Sequence, residues 1–264
     1  MIIKVIEMTN ELKTYIMKEP EYNVYIISDI EAYGLNSYNM ELFAGYQNNI
    51  ICFVIMRFYE SFVIYSHDNS KVNLDEVCKF FLSYKEIRSI TGKADLIKTI
   101  SQLLPNSRII TNEYAILRKE QLILYPDNKE FLYGPCTLEN VYGTYNEISE
   151  YIEKYKDRYS SIKRIENICV NGRYRILKSN KTNKSVSIAG SAAESQNYAM
   201  ISEVGTLNEY RNRGFSKIVV SNLCLELFGE GKKILTIFYN NKIAQKVYKN
   251  IGFIPIGEYS MLYV

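Results

Sequence analysis

The segment Glu203-Val204-Gly205-Thr206-Leu207-Asn208-Glu209-Tyr210-Arg211-Asn212-Arg213-Gly214-Phe215-Ser216 passes from a β-forming run, through a short basic turn, into a helical pattern. A helix start presents unpaired backbone N–H groups and the positive end of the peptide dipole, which makes such a junction a seat for phosphate. Arg211 and Arg213 add positive charge at the same mouth, and Gly214 lets the backbone approach an anion closely. On these residues alone, a solvated basic loop with a helix-start glycine accounts for the segment equally well. It is not a P-loop, because Gly-x-x-x-x-Gly-Lys is absent, nor a dinucleotide fingerprint, because only one of three glycines is present.

Composition narrows the other chemistries. A single histidine, His67, removes histidine-rich metal sites and most Ser-His-Asp or Cys-His schemes, and it reads as an ordinary loop residue. No metal is expected. Cys52, Cys78, Cys136, Cys169 and Cys224 are odd in number, scattered and free of any C-x-x-C pair, a pattern of reduced thiols in a cytoplasm. The opening residues, MIIKVIEMTNELK, lack an apolar signal core, and no apolar run approaches the ~20 residues of a membrane helix. A soluble, cytoplasmic protein without a membrane partner is expected.

The elements that must position the basic turn follow from periodicity. Arg173 to Leu177, Val186 to Gly190 and Tyr198 to Thr206 read as an antiparallel meander. From Gly214 to Phe228 the period becomes helical, with Phe215, Val219, Leu223 and Leu227 on one stripe and Val220, Cys224 and Phe228 on the next. Ile234 to Tyr239 suits a buried strand. Asn240-Asn241 can cap a helix whose inner face is Ala244, Val247, Tyr248 and Ile251, stopped by Gly252 at a left-handed C′ position. Phe253 to Val264 makes a last strand or hairpin.

The first part of the chain repeats that order: a meander at Leu42 to Tyr46, Ile50 to Met56 and Phe62 to Ser66, a helix at Leu74 to Tyr84, a strand at Glu86 to Ile90, a helix at Asp95 to Leu104 and a strand at Thr111 to Arg118. Both halves read βββαβαβ, which favours an internal duplication over a chance match of two α+β domains. The turn-rich stretch Tyr125-Pro126-Asp127-Asn128-Lys129 followed by Gly134-Pro135 places the boundary. The expected domains are residues 1–122, a linker at 123–136, and 137–264. With 264 residues, 47% hydrophobic and 23% charged, the chain can bury a core in each. The first 122 residues hold 13 basic and 15 acidic residues, the remainder 19 and 14, so an anionic ligand belongs to the second half. A net charge of +3 is too even to indicate nucleic acid.

At this point the sequence resembles the GNAT N-acetyltransferases. Arg211 to Ser216 resembles their Q/R-x-x-G-x-G/A pyrophosphate loop, and Tyr210 the aromatic residue of its common form. Asn241, Ala244, Tyr248, Gly252 and Phe253 match every fixed position of a second signature, N-x-x-A-x-x-x-Y-x-x-x-G-F. Ser216 stands where the family has Gly or Ala. A degenerate half preceding the acetyltransferase half resembles a bacterial group of two-lobed members.

The resemblance implies an α+β, sandwich-like fold of two tandem lobes, each a mixed, mostly antiparallel sheet flanked by helices. It implies acetyl-CoA as cosubstrate and an amine, small-molecule or peptide, as acceptor. Backbone N–H groups of Arg211, Asn212, Arg213, Gly214, Phe215 and Ser216 would hold the coenzyme pyrophosphate. Val204, Gly205 and Thr206 would line the pantetheine arm and the acetyl carbonyl, with Asn241 on the other side. Tyr248 would sit near the sulfur and donate a hydrogen bond or proton to the leaving thiolate. Its ring could instead merely pack. Glu203 is the nearest carboxylate in sequence for a general base. The first half continues after its third strand as His67-Asp68-Asn69-Ser70, without a glycine-arginine loop, which leaves it the roles of sheet extension, acceptor cover or homodimerisation. A noncatalytic acyl-CoA-binding protein is the alternative from another class. A tRNA-dependent aminoacyl transferase of the two-lobed kind would need a markedly basic surface, which the even charge balance does not supply.

Overall fold

The computed structural model describes residues 1–35, 37–127 and 129–264; Asn128, within the turn-rich stretch, lies outside the described residues. The chain forms two compact units, Met1–Tyr114 together with Ile256–Val264, and Ala115–Pro255. The sequence expectation put the division at 123–136 and kept the last strand in the second half. In the structure Tyr125 already packs on the second unit, its N–H donating to Ser221 Oγ at 3.0 Å and its carbonyl accepting from Asn222 Nδ2 at 2.9 Å.

In chain order the elements are β1 (Ile2–Lys4), α1 (Asn10–Ile16), α2 (Val24–Tyr33), β2 (Met40–Gln47), β3 (Ile50–Phe58), β4 (Ser61–Tyr65), α3 (Leu74–Leu82), β5 (Ser89–Lys93), α4 (Ala94–Ser101) and β6 (Arg108–Leu117). There follow β7 (Phe131–Pro135), α5 (Leu138–Asn146), α6 (Arg158–Ile168), β8 (Arg173–Ser179), β9 (Ser185–Ala192), β10 (Tyr198–Thr206), α7 (Phe215–Gly229), β11 (Ile234–Tyr239), α8 (Lys242–Ile251) and β12 (Ile254–Tyr263). The order βααβββαβαβ therefore runs twice. Each expected βββαβαβ block is present, and each is preceded by a strand and two helices that periodicity did not indicate. In the second half those helices rest on local caps: Thr137 and Asn140 cap each other reciprocally at the start of α5, and Asp157 accepts from Ser160 N at 2.8 Å at the start of α6.

In the first unit the strands lie in the order β1-β2-β3-β4-β5-β12-β6. β1 to β4 are antiparallel, β4 and β5 parallel, β5 and β12 antiparallel. Its core gathers Phe43, Phe62, Val77, Phe81, Ile97 and Leu262. The second unit has the order β11-β10-β9-β8-β7, antiparallel except for the β10–β11 pair. On one side of this sheet, every residue of the two expected α7 stripes is buried with Ile237 and Ile251. On the other, Val141, Tyr145, Ile148, Tyr155 and Ile165 cover Tyr174, Ile176 and Ile188. Each such large side chain contributes about 1.5–3 kcal/mol by leaving water. At α8, Asn241 Oδ1 caps Ala244 N at 2.8 Å and Gly252 closes the helix at φ +111, as the sequence indicates. A Cβ on Gly252 would also lie 2.0 Å from the Gln121 carbonyl oxygen, so backbone conformation and close packing both select glycine there.

Candidate active site

β10 and β11 pair only from Tyr198 with Ile234 to Met200 with Thr236; past Met200 no further pair joins them. β10 also slips against β9 between Ser202 and Gly205, leaving Glu203 and Val204 as a bulge, with Glu203 at φ +51. A non-glycine residue in the left-handed region needs strong local restraint. Here the restraint comes from tyrosines: Tyr145 hydroxyl donates to the Glu203 carbonyl, and Tyr151 hydroxyl to the Val204 carbonyl at 3.2 Å. Ser187 Oγ donates to the Gly205 carbonyl at 2.9 Å, and Arg211 Nε to the Thr206 carbonyl at 3.2 Å. Gly205 has a packing role the sequence did not indicate, since a Cβ there would fall 2.6 Å from Ile148 Cδ1.

After β10 the chain makes a 3₁₀ turn at Asn208–Tyr210, and Asn212 and Gly214 take left-handed φ values of +61 and +82 before α7 begins at Phe215. The backbone N–H groups of residues 212 to 216 find no acceptor among the described residues. Five successive donors at a helix start can receive an anion of diphosphate size. Arg213 has no carboxylate partner among the described residues; its guanidinium rests over Phe215, Phe131 and Tyr210, with 4.9 Å to the first ring centroid and 5.6 Å to each of the others. Arg211 instead pairs with Glu150 Oε2 at 2.5 Å. Ser216, half-buried in the first turn of α7, follows Phe215, which is buried against Phe131 at 4.4 Å.

The Tyr248 ring packs against Tyr239 and Phe253 with centroids 5.4 and 5.9 Å away, and the residue is 7% exposed. Burial, with smaller contributions from Tyr151, Cys224 and Tyr239, pushes its phenol well above the ordinary tyrosine range. The hydroxyl has no hydrogen-bond partner among the described residues, and at neutral pH it stays protonated and can donate one hydrogen bond. A thiolate has an ordinary pKa near ~8.5, so such a phenol can donate a hydrogen bond to it far more readily than a proton. Asn241 Oδ1 is committed to the α8 cap, leaving its Nδ2 to donate elsewhere.

Glu203 does not fit the general-base role expected from its position. Its carboxylate, 7% exposed, receives Lys154 Nζ at 2.5 Å, Arg164 Nη2 at 2.7 Å, Tyr155 hydroxyl at 2.5 Å and Tyr174 hydroxyl at 2.6 Å. Burial alone would raise its pKa, but the charges of Lys154 and Arg164 and the hydrogen bonds from Lys154 and Tyr155 outweigh that and hold it at about 2. A carboxylate so stabilised has little affinity for the proton of an ammonium. The four partners lie on or beside α5, α6 and β8, in a stretch where sequence periodicity is weak. The tyrosines recur at Tyr145, Tyr151 and Tyr155, with rings of Tyr145 and Tyr155 stacked at 4.6 Å, and that recurrence was the available signal.

The corresponding place in the first unit is built differently. β4 and β5 stay together beyond their last parallel pair, Val63 with Thr91: a Cβ on Gly92 would lie 2.4 Å from the Ile64 carbonyl oxygen. In the following turn Asp68 itself accepts from Ser70 N at 3.2 Å. Glu19 receives Lys93 Nζ at 2.5 Å and Tyr65 hydroxyl at 2.9 Å, with His67 Nδ1 3.0 Å away. Carboxylates thus stand where the second unit offers free donors. Among the described residues no cluster of His, Cys, Asp or Glu is arranged to hold a metal ion, and no helix is long and apolar enough to cross a membrane.

Residues 182–262 match the family model described as FR47-like protein, a GNAT-type family. No curated protein matches the sequence. Among solved structures, a tandem GNAT protein from the clavulanic acid biosynthesis pathway aligns with 100% of this chain and 98% of its own at 9% identity and a TM-score of 0.59. A GCN5-related N-acetyltransferase-like protein from Streptococcus suis aligns over 96% of both chains at 13% identity and a TM-score of 0.57. A Drosophila protein aligns with 93% of this chain and 88% of its own at 10% identity and a TM-score of 0.69. The chain thus has the fold of tandem GNAT proteins, and residues 182–262 carry an FR47-like segment.

Proposed function

We propose that the chain is an acetyl-CoA-dependent N-acetyltransferase whose second unit binds the coenzyme and passes the acetyl group directly to a primary amine. The observation that carries this is a run of five unpaired amides at Gly214 directly after a strand, β10, that parts from β11. The pyrophosphate would lie on the N–H groups of residues 212 to 216, with Arg213 as its free cation and Arg211 exchanging Glu150 for phosphate. The pantetheine arm would follow β10 past Val204 and Thr206, with Asn241 Nδ2 donating from the α8 side. The amine nitrogen attacks the thioester carbonyl carbon, the C–S bond breaks, and the thiolate takes a hydrogen bond from Tyr248. The ammonium proton leaves through water, because Glu203 is held as a stable anion; Glu203 instead fixes the bulge. Several structural neighbours are GCN5-related N-acetyltransferases by name. The cytoplasm is the compartment that suits a chain whose cysteines are all free thiols.

The test is thiol release from acetyl-CoA over polyamines, amino acids, aminoglycosides and peptide N-termini. Turnover with any of them, abolished in Gly214→Val, supports an enzyme. The lack of an assigned base favours a second reading, an acyl-CoA-binding protein without turnover; calorimetric binding of acetyl-CoA with no thiol release from any amine would establish that one instead.

A further inference from the structure

Lys154 lies in the turn between α5 and α6, and its Nζ touches the bulge through Glu203 Oε1 at 2.5 Å. The same ammonium sits over two rings, 5.6 Å from the centroid of Tyr151 and 5.8 Å from that of Tyr155. Both rings end on the bulged strand, Tyr151 on the Val204 carbonyl and Tyr155 on the Glu203 carboxylate. The amine is therefore held beside the first residues of the segment assigned above to the acetyl group. It is also the dispensable partner of Glu203: Arg164, Tyr155 and Tyr174 keep that carboxylate satisfied when Lys154 leaves. Its side chain is 39% exposed, which leaves it room to swing.

We propose that Lys154 is a modification site, an internal acetyl acceptor that the second unit acetylates when no external amine is present. The proposal rests on the acetyl-CoA assignment made above. The Lys154 ammonium first loses a proton to water. Its Nζ then attacks the thioester carbonyl, an N–C bond forms, the C–S bond breaks with the sulfur leaving as thiolate, and the second proton of the nitrogen passes through water to that sulfur. The products are Nε-acetyl-Lys154 and one coenzyme thiol. Burial, together with Arg164 nearby, lowers the Lys154 ammonium from the ordinary lysine range against the pull of Glu203, which enlarges the neutral, nucleophilic fraction. Acetylation removes the charge, and with it the ion pair to Glu203, and leaves an amide nitrogen that is no longer nucleophilic, so the reaction stops after one event per chain.

Lys156, two residues on, is an internal control: its side chain is 74% exposed and pairs only loosely with Glu153 at 3.7 Å. The full chain is incubated with acetyl-CoA and no added amine, thiol release is followed, and acetylated peptides are identified by mass spectrometry. The expected result is a burst of one thiol per chain, first order and independent of protein concentration, absent in Lys154→Arg. Acetylation of Lys154 should exceed that of Lys156 by about tenfold or more, because intramolecular attack carries an effective concentration that bimolecular acetylation lacks. Calorimetry separates the two ways of failing. If acetyl-CoA does not bind, the coenzyme assignment falls and this proposal with it. If acetyl-CoA binds but labelling follows exposure, with Lys156 ahead of Lys154, or the rate rises with protein concentration, the internal acceptor alone is overturned.

Discussion

Replacing Glu203 with Gln keeps the shape of the side chain and removes its charge, leaving the Lys154 and Arg164 cations without their shared anion. The carboxyl falls from its usual 4.5 to about 2 on folding. A displacement of two to three pH units corresponds to about 3 kcal/mol of folding stability. Because the folded pKa is the lower one, that stability is fully present above pH 4.5 and is lost as the pH falls toward 2. By pH 3 about 2 kcal/mol of it should be gone. Urea unfolding of wild type and Glu203→Gln, followed by far-UV circular dichroism, should give a difference of about 3 kcal/mol at pH 7 that shrinks to about 1 kcal/mol at pH 3. Other titrating groups cancel when the two proteins are compared at each pH. An equal difference at both pH values would refute the idea that the charge of Glu203 fixes the bulge. The pH–rate profile gives a second check: as a strut, Glu203→Gln lowers the rate without changing the profile's shape, whereas loss of the base-dependent limb would restore Glu203 as the general base.

Gly214→Ala should retain the fold and weaken coenzyme binding about tenfold, and Gly214→Val more. A Cβ there meets only Lys217 Cε at 3.6 Å, so the cost is the left-handed backbone, about 1–2 kcal/mol, rather than a clash; unchanged calorimetric affinity in both would make the loop merely structural. Tyr248→Phe should lower turnover about 10²-fold with little change in melting temperature, since the ring contacts with Tyr239 and Phe253 persist. Turnover within about threefold of wild type, with chemistry rate-limiting, would leave the packing role alone. Glu150→Gln should tighten coenzyme binding by up to about fivefold, the scale of an exposed ion pair, by freeing Arg211, while Arg211→Ala should weaken binding in a salt-dependent way. Calorimetry at two salt concentrations reads both.

What the sequence disclosed were features encoded by neighbours in the chain. The α7 stripes, the Asn241 cap, the Gly252 stop and the basic turn before Phe215 all depend on residues within a few positions of one another. The surroundings of Glu203 were not legible because they are tertiary: Arg164 lies 39 residues away and Tyr155 48. Nothing near Glu203 in the chain announces two cations and two phenols. α5 and α6 escaped notice because they are short and polar, held by caps and a tyrosine cluster rather than by an apolar stripe. Gly205, expected beside the coenzyme, answers to Ile148 and Tyr151, contacts that no spacing rule reveals.

The placement of β12 has a consequence for synthesis. Its residues from Ile256 onward belong to the first unit, where Tyr259 to Leu262 pair with β5 and Leu262 is fully buried. On the ribosome, the unit whose first residues emerge earliest lacks one strand of its sheet until the entire second unit has been made. The second unit, by contrast, is a single uninterrupted stretch that can condense as it emerges. The first unit should therefore be chaperone-dependent while nascent, with β5 bare on one side. A fragment starting near residue 123 would carry the displaced strand as an unpaired, aggregation-prone tail. Trimming such a fragment at Pro255, rather than extending it to Val264, should improve its solubility.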